Sequence, residues 1–455
     1  MQYGEFYIVI MVIKMKWKVL LGLLCIILMG TTVYAAETYI VQINNNNVQL
    51  FESEPTDKHE SRNYTTATYE ELQEYLDAGI AEYYEPNYQV ELLGENWNLD
   101  VVNCKFAWEL GCFGNEVRIG IIDSGLYPFP ELAENVIEGK NYLDDSKDTT
   151  DNIGHGTFVT GIIASKSKGI SYRSKIIPLK CFDNNKTTYV NDIIDAIYDA
   201  VDVYDCDVIN MSLGLSADSI VLKQALTYAT NHGVIVISAV GNDGNAKIYY
   251  PAGYENVVGV GSINKNYEKS WFSQYNNSVF VTAPGEELES LNVPWSISNM
   301  GTSFATPHVT ALAAVAKCID KDITTAEFMN LLSITSKDLG DKGYDKFFGY
   351  GLVDFEGLVS KMLENTEVFV SPLYVENNEV YGVIYNNSDE KKNLTLINAN
   401  YIENQFLNVN AEAVSFEAKQ KYTFKNASSG NVIKYMVWNG FNYMSPVAEF
   451  RILKQ

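Results

Sequence analysis

The rhythm of apolar and polar positions changes twice along the chain. Between about residues 97 and 359, short continuous apolar runs alternate with segments of helical spacing. The runs at 117–123, 175–182, 207–214, 234–240, 257–263 and 279–283 predict strands, and residues 155–164, 190–204, 220–232 and about 307–320 predict helices. Strands that are apolar throughout and separated by helices imply an α/β arrangement, a parallel sheet covered on both faces. Such sheets carry their sites at the carboxyl ends of strands, where this pattern puts Asp123, Ser212 and Asn242. Residues 37–93 read differently, with a strand at 38–43, an Asn-rich turn, an amphipathic helix at 69–76 and a returning strand at 80–88. This small α+β unit has a marginal core and is expected to need a partner to stay folded. After about residue 365 the pattern is strands only, at 367–370, 380–385, 394–397, 414–416 and 432–438, joined by Asn-rich turns. That is the pattern of an antiparallel β-sandwich.

The first residues have a separate character. Residues 15–36 hold two lysines, an apolar stretch at 19–29 and the small-residue segment Val33-Tyr34-Ala35-Ala36. This is the pattern of a secretory signal peptide, with cleavage expected after Ala35. The apolar stretch is too short to span a bilayer. A second apolar run at 8–13 precedes it, so either translation starts at Met15, the preferred reading, or the two runs form an uncleaved anchor.

Composition is that of an ordinary globular protein, and the net charge of −24 argues against nucleic acid, which needs basic patches. Outside the signal segment, Cys181, Cys206 and Cys318 fall in apolar elements and read as buried small side chains. Cys104 and Cys112 are near enough in sequence to pair, but a disulfide between them is the less favoured reading. No cysteine spacing suits a metal.

The candidate chemistry centres on Gly301-Thr302-Ser303-Phe304-Ala305-Thr306-Pro307-His308, a small-residue turn running into an Ala-rich helix. Pro307 suits a first helical turn. Ser303 therefore lies at a helix N-terminus, where backbone N–H groups and the macrodipole favour negative charge. It is either a helix cap or a nucleophile whose oxyanion would be stabilised there. The chain has four histidines. His59 lies in a polar stretch, His232 ends a helix and His308 reads as packed. His155 stands between Gly154 and Gly156, which would leave its imidazole room to meet a substrate.

Asp123 in Asp-Ser-Gly, His155 in Gly-His-Gly-Thr and Ser303 in Gly-Thr-Ser-Phe-Ala-Thr-Pro occur in the chain order Asp, His, Ser. With Val208-Ile-Asn-Met-Ser-Leu-Gly214, Ala239-Val-Gly-Asn-Asp-Gly244, Tyr250-Pro-Ala252 and Gly349-Tyr-Gly-Leu-Val-Asp354, this resembles the subtilisin-like serine proteases, the subtilase family, over about residues 37–360. The resemblance implies a secreted serine endopeptidase made as a zymogen. Ser303 would be the nucleophile, His155 the base and Asp123 its orienting acid. Asn242 and the Ser303 N–H would form the oxyanion hole. It also implies an inhibitory propeptide 37–93, with self-cleavage between about 91 and 95, and a catalytic domain 94–360, which stand between the signal peptide 1–36 and the C-terminal β-sandwich 361–455 read from the pattern. The peptide substrate would add as a strand between Lys186-Thr187-Thr188 and Ser212-Leu213-Gly214. A monomer without cofactor is expected, with the propeptide as intramolecular inhibitor.

Three departures stand out. Phe304 replaces the methionine usual after the nucleophile, removing the sulfur that peroxide oxidises. The segment after the His155 helix, residues 165–172, is too short for the calcium loop of the family. Glu131 could match one ligand but its partners are missing, so no high-affinity calcium is expected there, while a weaker site elsewhere stays open. Tyr249 replaces a small residue at the floor of the S1 pocket, which would favour small P1 residues, and Asp243 at the rim would disfavour acidic ones. Leu92 and Leu93, inside the self-cleavage window, stand in tension with a small P1. The ending from Val432 through Trp438 to Pro446 resembles β-sandwich modules of Gram-positive surface and secreted proteins, with Trp438 expected in the sandwich core. Two alternatives remain: a processing protease dedicated to one peptide, spore or surface protein, and a non-catalytic surface-binding protein on the same scaffold.

Overall fold

The structure is a computed structural model, and it describes residues 39–43, 64–79, 81–86, 96–295, 299–376, 379–402, 405–427, 432–438 and 451–454. The signal segment, the self-cleavage window and the side chain of Trp438 lie outside the described residues. Two compact units result, Met1–Gly94 and Glu95–Gln455.

In the first unit, β1 (Tyr39–Ile43), β2 (Tyr64–Ala67) and β3 (Ala81–Pro86) form an antiparallel sheet in the order β2-β1-β3, with α1 (Tyr69–Asp77) between β2 and β3. The sequence pattern missed β2, a four-residue strand with two β-branched threonines. Thr68 and Glu71 close a reciprocal capping box at the start of α1. Among the described residues the core of this unit is Ala67 and Leu72, with Tyr75 and Ala81 against them.

The second unit opens with α2 (Trp97–Val101) and α3 (Cys104–Glu109). Its centre is a sheet of β4 (Arg118–Asp123), β5 (Lys140–Asn141), β6 (Lys175–Lys180), β7 (Val208–Met211), β8 (Ile235–Ala239), β9 (Val258–Ile263) and β10 (Val281–Pro284). All seven strands run parallel in the order β10-β9-β8-β7-β4-β6-β5. Successive strand residues point to opposite faces, and both faces are covered. Ile119, Ile121, Val208, Ile235 and Ile237 face α4 (His155–Ala164), α7 (Thr302–Ile319), α8 (Thr325–Thr335) and α9 (Phe355–Met362). Ile122, Ile209, Met211 and Val236 face α5 (Val190–Asp202) and α6 (Ile220–Asn231). Burial on both faces is why these strands are apolar throughout. From β4 the chain passes to β6 on one side, and β7 lies on the other. Strand order thus reverses at β4 and β7, which opens a crevice at their carboxyl ends.

The remaining strands are β11 (Val368–Val370), β12 (Tyr374–Glu376), β13 (Glu379–Asn386), β14 (Lys392–Ile402), β15 (Gln405–Phe416), β16 (Lys421–Ala427), β17 (Val432–Trp438) and β18 (Arg451–Lys454). They form two antiparallel sheets, β11-β13-β12 with β16 on β13, and β15-β14-β17-β18. Val380, Ile384, Leu394, Phe416, Phe424 and Ile433 meet between them. Several asparagines expected in turns lie inside strands instead. Asn398 pairs with Asn410 and Asn400 with Asn408 across β14 and β15, and Asn400 Nδ2 donates to Asn408 Oδ1 at 2.7 Å. The sandwich packs on the parallel-sheet region within one unit. Arg173 lies 4.1 Å from the Tyr374 ring centre and bonds Glu376 at 3.1 Å. Phe369 and Tyr385 join the main core.

Cys104, Cys112, Cys181, Cys206 and Cys318 are all buried. Cys104 is an unpaired thiol on the Leu99 carbonyl, so the Cys104–Cys112 disulfide does not form. Among the described residues no helix is long and apolar enough to cross a membrane.

Candidate active site

Asp123 ends β4, and its Oδ1 lies 2.7 Å from Nδ1 of His155, the first residue of α4. Oδ1 also accepts from the Ser124 N–H at 2.7 Å. The carboxylate is buried, whereas 31% of the imidazole side chain is exposed. With Nδ1 engaged, Nε2 is the nitrogen left for proton transfer. Burial pulls the His155 pKa down, but the charge and hydrogen bond of Asp123, helped by Asp151, outweigh it, and the net shift is upward from 6.5.

Ser303 is the second residue of α7, and every other residue from Thr302 to Cys318 is buried. Its hydroxyl donates to the Ser212 carbonyl at 3.2 Å rather than to His155. Such bonds are often made only when substrate binds. The Ser212 hydroxyl in turn donates to the Ser303 carbonyl at 2.7 Å and accepts from Asn210 Nδ2 at 3.0 Å. Asn210 Oδ1 accepts from Thr310 at 2.8 Å. The end of β7 is thereby tied to the first turns of α7.

Asn242 follows β8. Its Oδ1 accepts from the N–H and hydroxyl of Thr302 at 2.8 and 2.9 Å, which fixes the side chain on the start of α7. Its Nδ2 and the Ser303 N–H have no acceptor among the described residues. A Cβ on Gly301 would lie 3.4 Å from Asn242 Nδ2 and 3.7 Å from Ser303 N. Gly301 has φ and ψ of 156°, a region only glycine occupies readily. The two unfilled donors thus flank a space that glycine keeps open.

Of the two glycines around His155, Gly156 acts differently from expectation. Gly154, at φ 88°, starts α4. A Cβ on Gly156 would stand 2.3 Å from the Gly125 carbonyl oxygen and 3.1 Å from Asp123 Oδ1. Gly156 therefore lets α4 press against the end of β4, rather than making room for a substrate.

Sequence reasoning missed the support behind this pair. Asp151 is fully buried and accepts five hydrogen bonds, from Ser124 Oγ, the N–H groups of Ile153, Gly154 and Thr157, and Thr157 Oγ1. Ser124 Oγ also accepts from the Gly156 N–H at 2.9 Å. Lys180, buried at the end of β6, donates to the carbonyls of Ser124 and Thr150 at 2.6 and 3.0 Å. Burial lowers its pKa against the opposing pull of Asp151 and its acidic neighbours. A carboxylate just ahead of a helix start is the signal that would have found Asp151.

A cleft of about 230 Å³ runs beside the pair, lined by His155, Ile153, Phe182, Lys186, Leu213 and Gly214 among others. Thr187 is satisfied in its own turn, with its N–H and hydroxyl on Asp183 Oδ1 at 3.0 and 3.1 Å. The Tyr249 ring lies between Gly214 and Gly241, whose Cβ positions would be 3.2 and 3.0 Å from it. Its hydroxyl donates to Asp243 at 2.7 Å. The Phe304 ring packs on the rings of His155 and Phe158, at 5.3 and 4.6 Å between centres. His308 is buried between Asn98 and the Phe304 carbonyl, and burial lowers its pKa to about 4, so it stays neutral.

The parallel sheet, the Asp123–His155 pair and a serine at a helix start are the parts that a hydrolase of the serine-nucleophile type uses. Residues 114–351 match the model of the subtilase family, and this chain belongs to that family of serine endopeptidases. It is 34% identical to the minor extracellular protease Epr of Bacillus subtilis over 58% of this chain, and spans 41% of the length of that protein. It is 31% identical to Subtilisin Savinase of Lederbergia lenta over 57% of this chain and 97% of that one. A solved protease from Pseudoalteromonas arctica superposes with a TM-score of 0.51 at 26% identity, over 57% of this chain and 94% of that chain.

Proposed function

We propose that the chain is a secreted serine endopeptidase made as a zymogen, in which Ser303 attacks the scissile carbonyl and His155 takes its proton. His155 then returns that proton to the leaving amine, while Asp123 holds its tautomer and stabilises the imidazolium. The observation that carries this reading is the pair of unfilled donors, Asn242 Nδ2 and Ser303 N–H, around the Gly301 position at the start of the Ser303 helix. A tetrahedral oxyanion needs two such donors, and this supports the reading. Residues 37–93 act as the inhibitory propeptide, and expression beside Ser303→Ala tests this. The wild-type precursor shortens near residues 91–95, and the variant keeps its full length; a variant that still shortens contradicts the reading.

Asn242→Asp separates the two tasks of that side chain. Aspartate keeps an acceptor for Thr302 and suits a helix N-terminus, but it offers no donor. The expected loss is on the order of 10²–10³ in kcat with Tm held, a magnitude known from a subtilisin. Steady-state kinetics beside a melting curve checks it.

Substrate strands pair with the edge that Lys186 and Thr188 present, and with Ser212-Leu213-Gly214 opposite. Tyr249, seated between two glycines of the S1 wall, shortens that pocket and favours small P1 residues, with Asp243 disfavouring acidic ones. Tyr249→Gly is expected to shift the best P1 residue from Ala toward Phe and Leu by at least about tenfold in relative kcat/KM. A peptide library reads the shift. The narrowed pocket also favours the narrower reading, a processing protease for one peptide or surface protein.

The residues near the family's calcium loop do not fit that ion. Glu131 Oε2 accepts from the N–H and hydroxyl of Ser167 at 3.2 and 3.1 Å, and Lys166 and Lys168 of the same turn pair with Glu134 and Glu289. A hard cation needs six or more oxygens, whereas here protein cations fill the turn. A chelator is expected to move Tm by less than about 2 °C, since this turn has no tightly bound ion to lose. Thermal unfolding with and without EDTA measures this.

A further inference from the structure

Lys186 occupies a position that its own backbone makes unfavourable for a lysine. Its φ is 62°, in the left-handed region where glycine is the default residue. The turn that holds it there is tied by Asp183, whose carbonyl accepts the Lys186 N–H at 2.9 Å. The same Asp183 side chain accepts from the N–H groups of Asn185 and Thr187 at 3.0 Å each. Lys186 is exposed, lines the cleft beside His155, Phe182 and Leu213, and has no carboxylate partner among the described residues. Its charge opposes protonation of His155, so the ammonium acts on the imidazole. On the other rim, Asp243 is engaged by the Tyr249 hydroxyl.

We infer that Lys186 selects substrates with an acidic side chain at P2, the residue preceding the one whose carbonyl is attacked. This rests on the reading of the cleft as a peptide-binding protease site. Side chains of an extended peptide alternate in direction. With P1 directed at the wall of Gly214, Gly241 and Tyr249, the P2 side chain lies on the other side, between His155 and Lys186. There a carboxylate meets the unpaired ammonium, and it also faces the imidazolium that forms as Ser303 gives up its proton. The substrate class is therefore a peptide with Asp or Glu at P2 and a small uncharged P1.

The test uses the mature enzyme, with its C-terminal sandwich retained, and three fluorogenic peptides with Ala at P1, identical except for Glu, Gln or Lys at P2. Glu is expected to exceed Gln by about three- to tenfold in kcat/KM at low salt, and the ratio should shrink in ~0.5 M NaCl. K186Q should bring the ratio close to one, and K186E should reverse the order so that Lys exceeds Glu. A wild type that cleaves all three peptides alike overturns the inference but keeps the protease reading. So does a Glu preference that persists unchanged in K186Q. A chain that cleaves none of them and takes no fluorophosphonate at Ser303 overturns both.

Discussion

Replacing Ser303 by alanine is expected to lower kcat by about 10⁶-fold, the scale of loss seen when a subtilisin loses its nucleophile. The residual rate over water would come from the oxyanion donors and substrate binding, which the substitution leaves in place. The fold should survive. The Ser303 hydroxyl makes one neutral hydrogen bond, to the Ser212 carbonyl at 3.2 Å, and a bond of that kind contributes about 1 kcal/mol. The Ser303 backbone carbonyl still accepts from Ser212 Oγ. Single-turnover assays beside a melting curve check both halves. A loss of under tenfold would remove Ser303 from the chemistry.

Asp123→Asn is expected to lower kcat by about 10⁴-fold with the geometry kept. Asp123 Oδ1 accepts from His155 Nδ1 at 2.7 Å and from the Ser124 N–H. An amide nitrogen facing Nδ1 would favour the other imidazole tautomer and leave Nε2 protonated, unable to act as base. The pH profile carries the same signature. Catalysis needs a neutral imidazole, and the His155 pKa is raised above 6.5, chiefly by the Asp123 charge working against burial. Wild-type kcat/KM should therefore fall as pH drops through a value above 6.5. In Asp123→Asn the main raising cause is gone while burial remains, so the acid limb should move to lower pH. A limb at the same pH in both proteins would show that this carboxylate does not govern the imidazole.

Much of this architecture was readable from the chain because parallel strands buried on both faces leave continuous apolar runs. The candidate site was readable because Asp123, His155, Asn242 and Ser303 each sit in a short motif at an element end. Their support was not readable, since its contacts join distant segments. Asp151 looks like one of several loop aspartates until its five donors are seen to converge from Ser124, the α4 start and Thr157. Lys180 ends a strand, where a lysine is ordinarily exposed, yet it is buried with its ammonium on two carbonyls. Asn210 and the Ser212 side chain knit β7 to α7, a link no local pattern reports. In the sandwich, residues 398–410 are polar enough to read as turn, and the asparagines satisfy one another across the hairpin. Tertiary pairing there overrides a weak β-propensity.

Ser303 as an activated nucleophile is tested most directly by treating the mature protein with a fluorophosphonate and mapping the adduct by mass spectrometry. A single adduct on Ser303, absent from His155→Ala, is the expected result. An unlabelled Ser303 in folded protein that has been freed of residues 1–94 would contradict it and leave a non-catalytic binding protein on a subtilase scaffold.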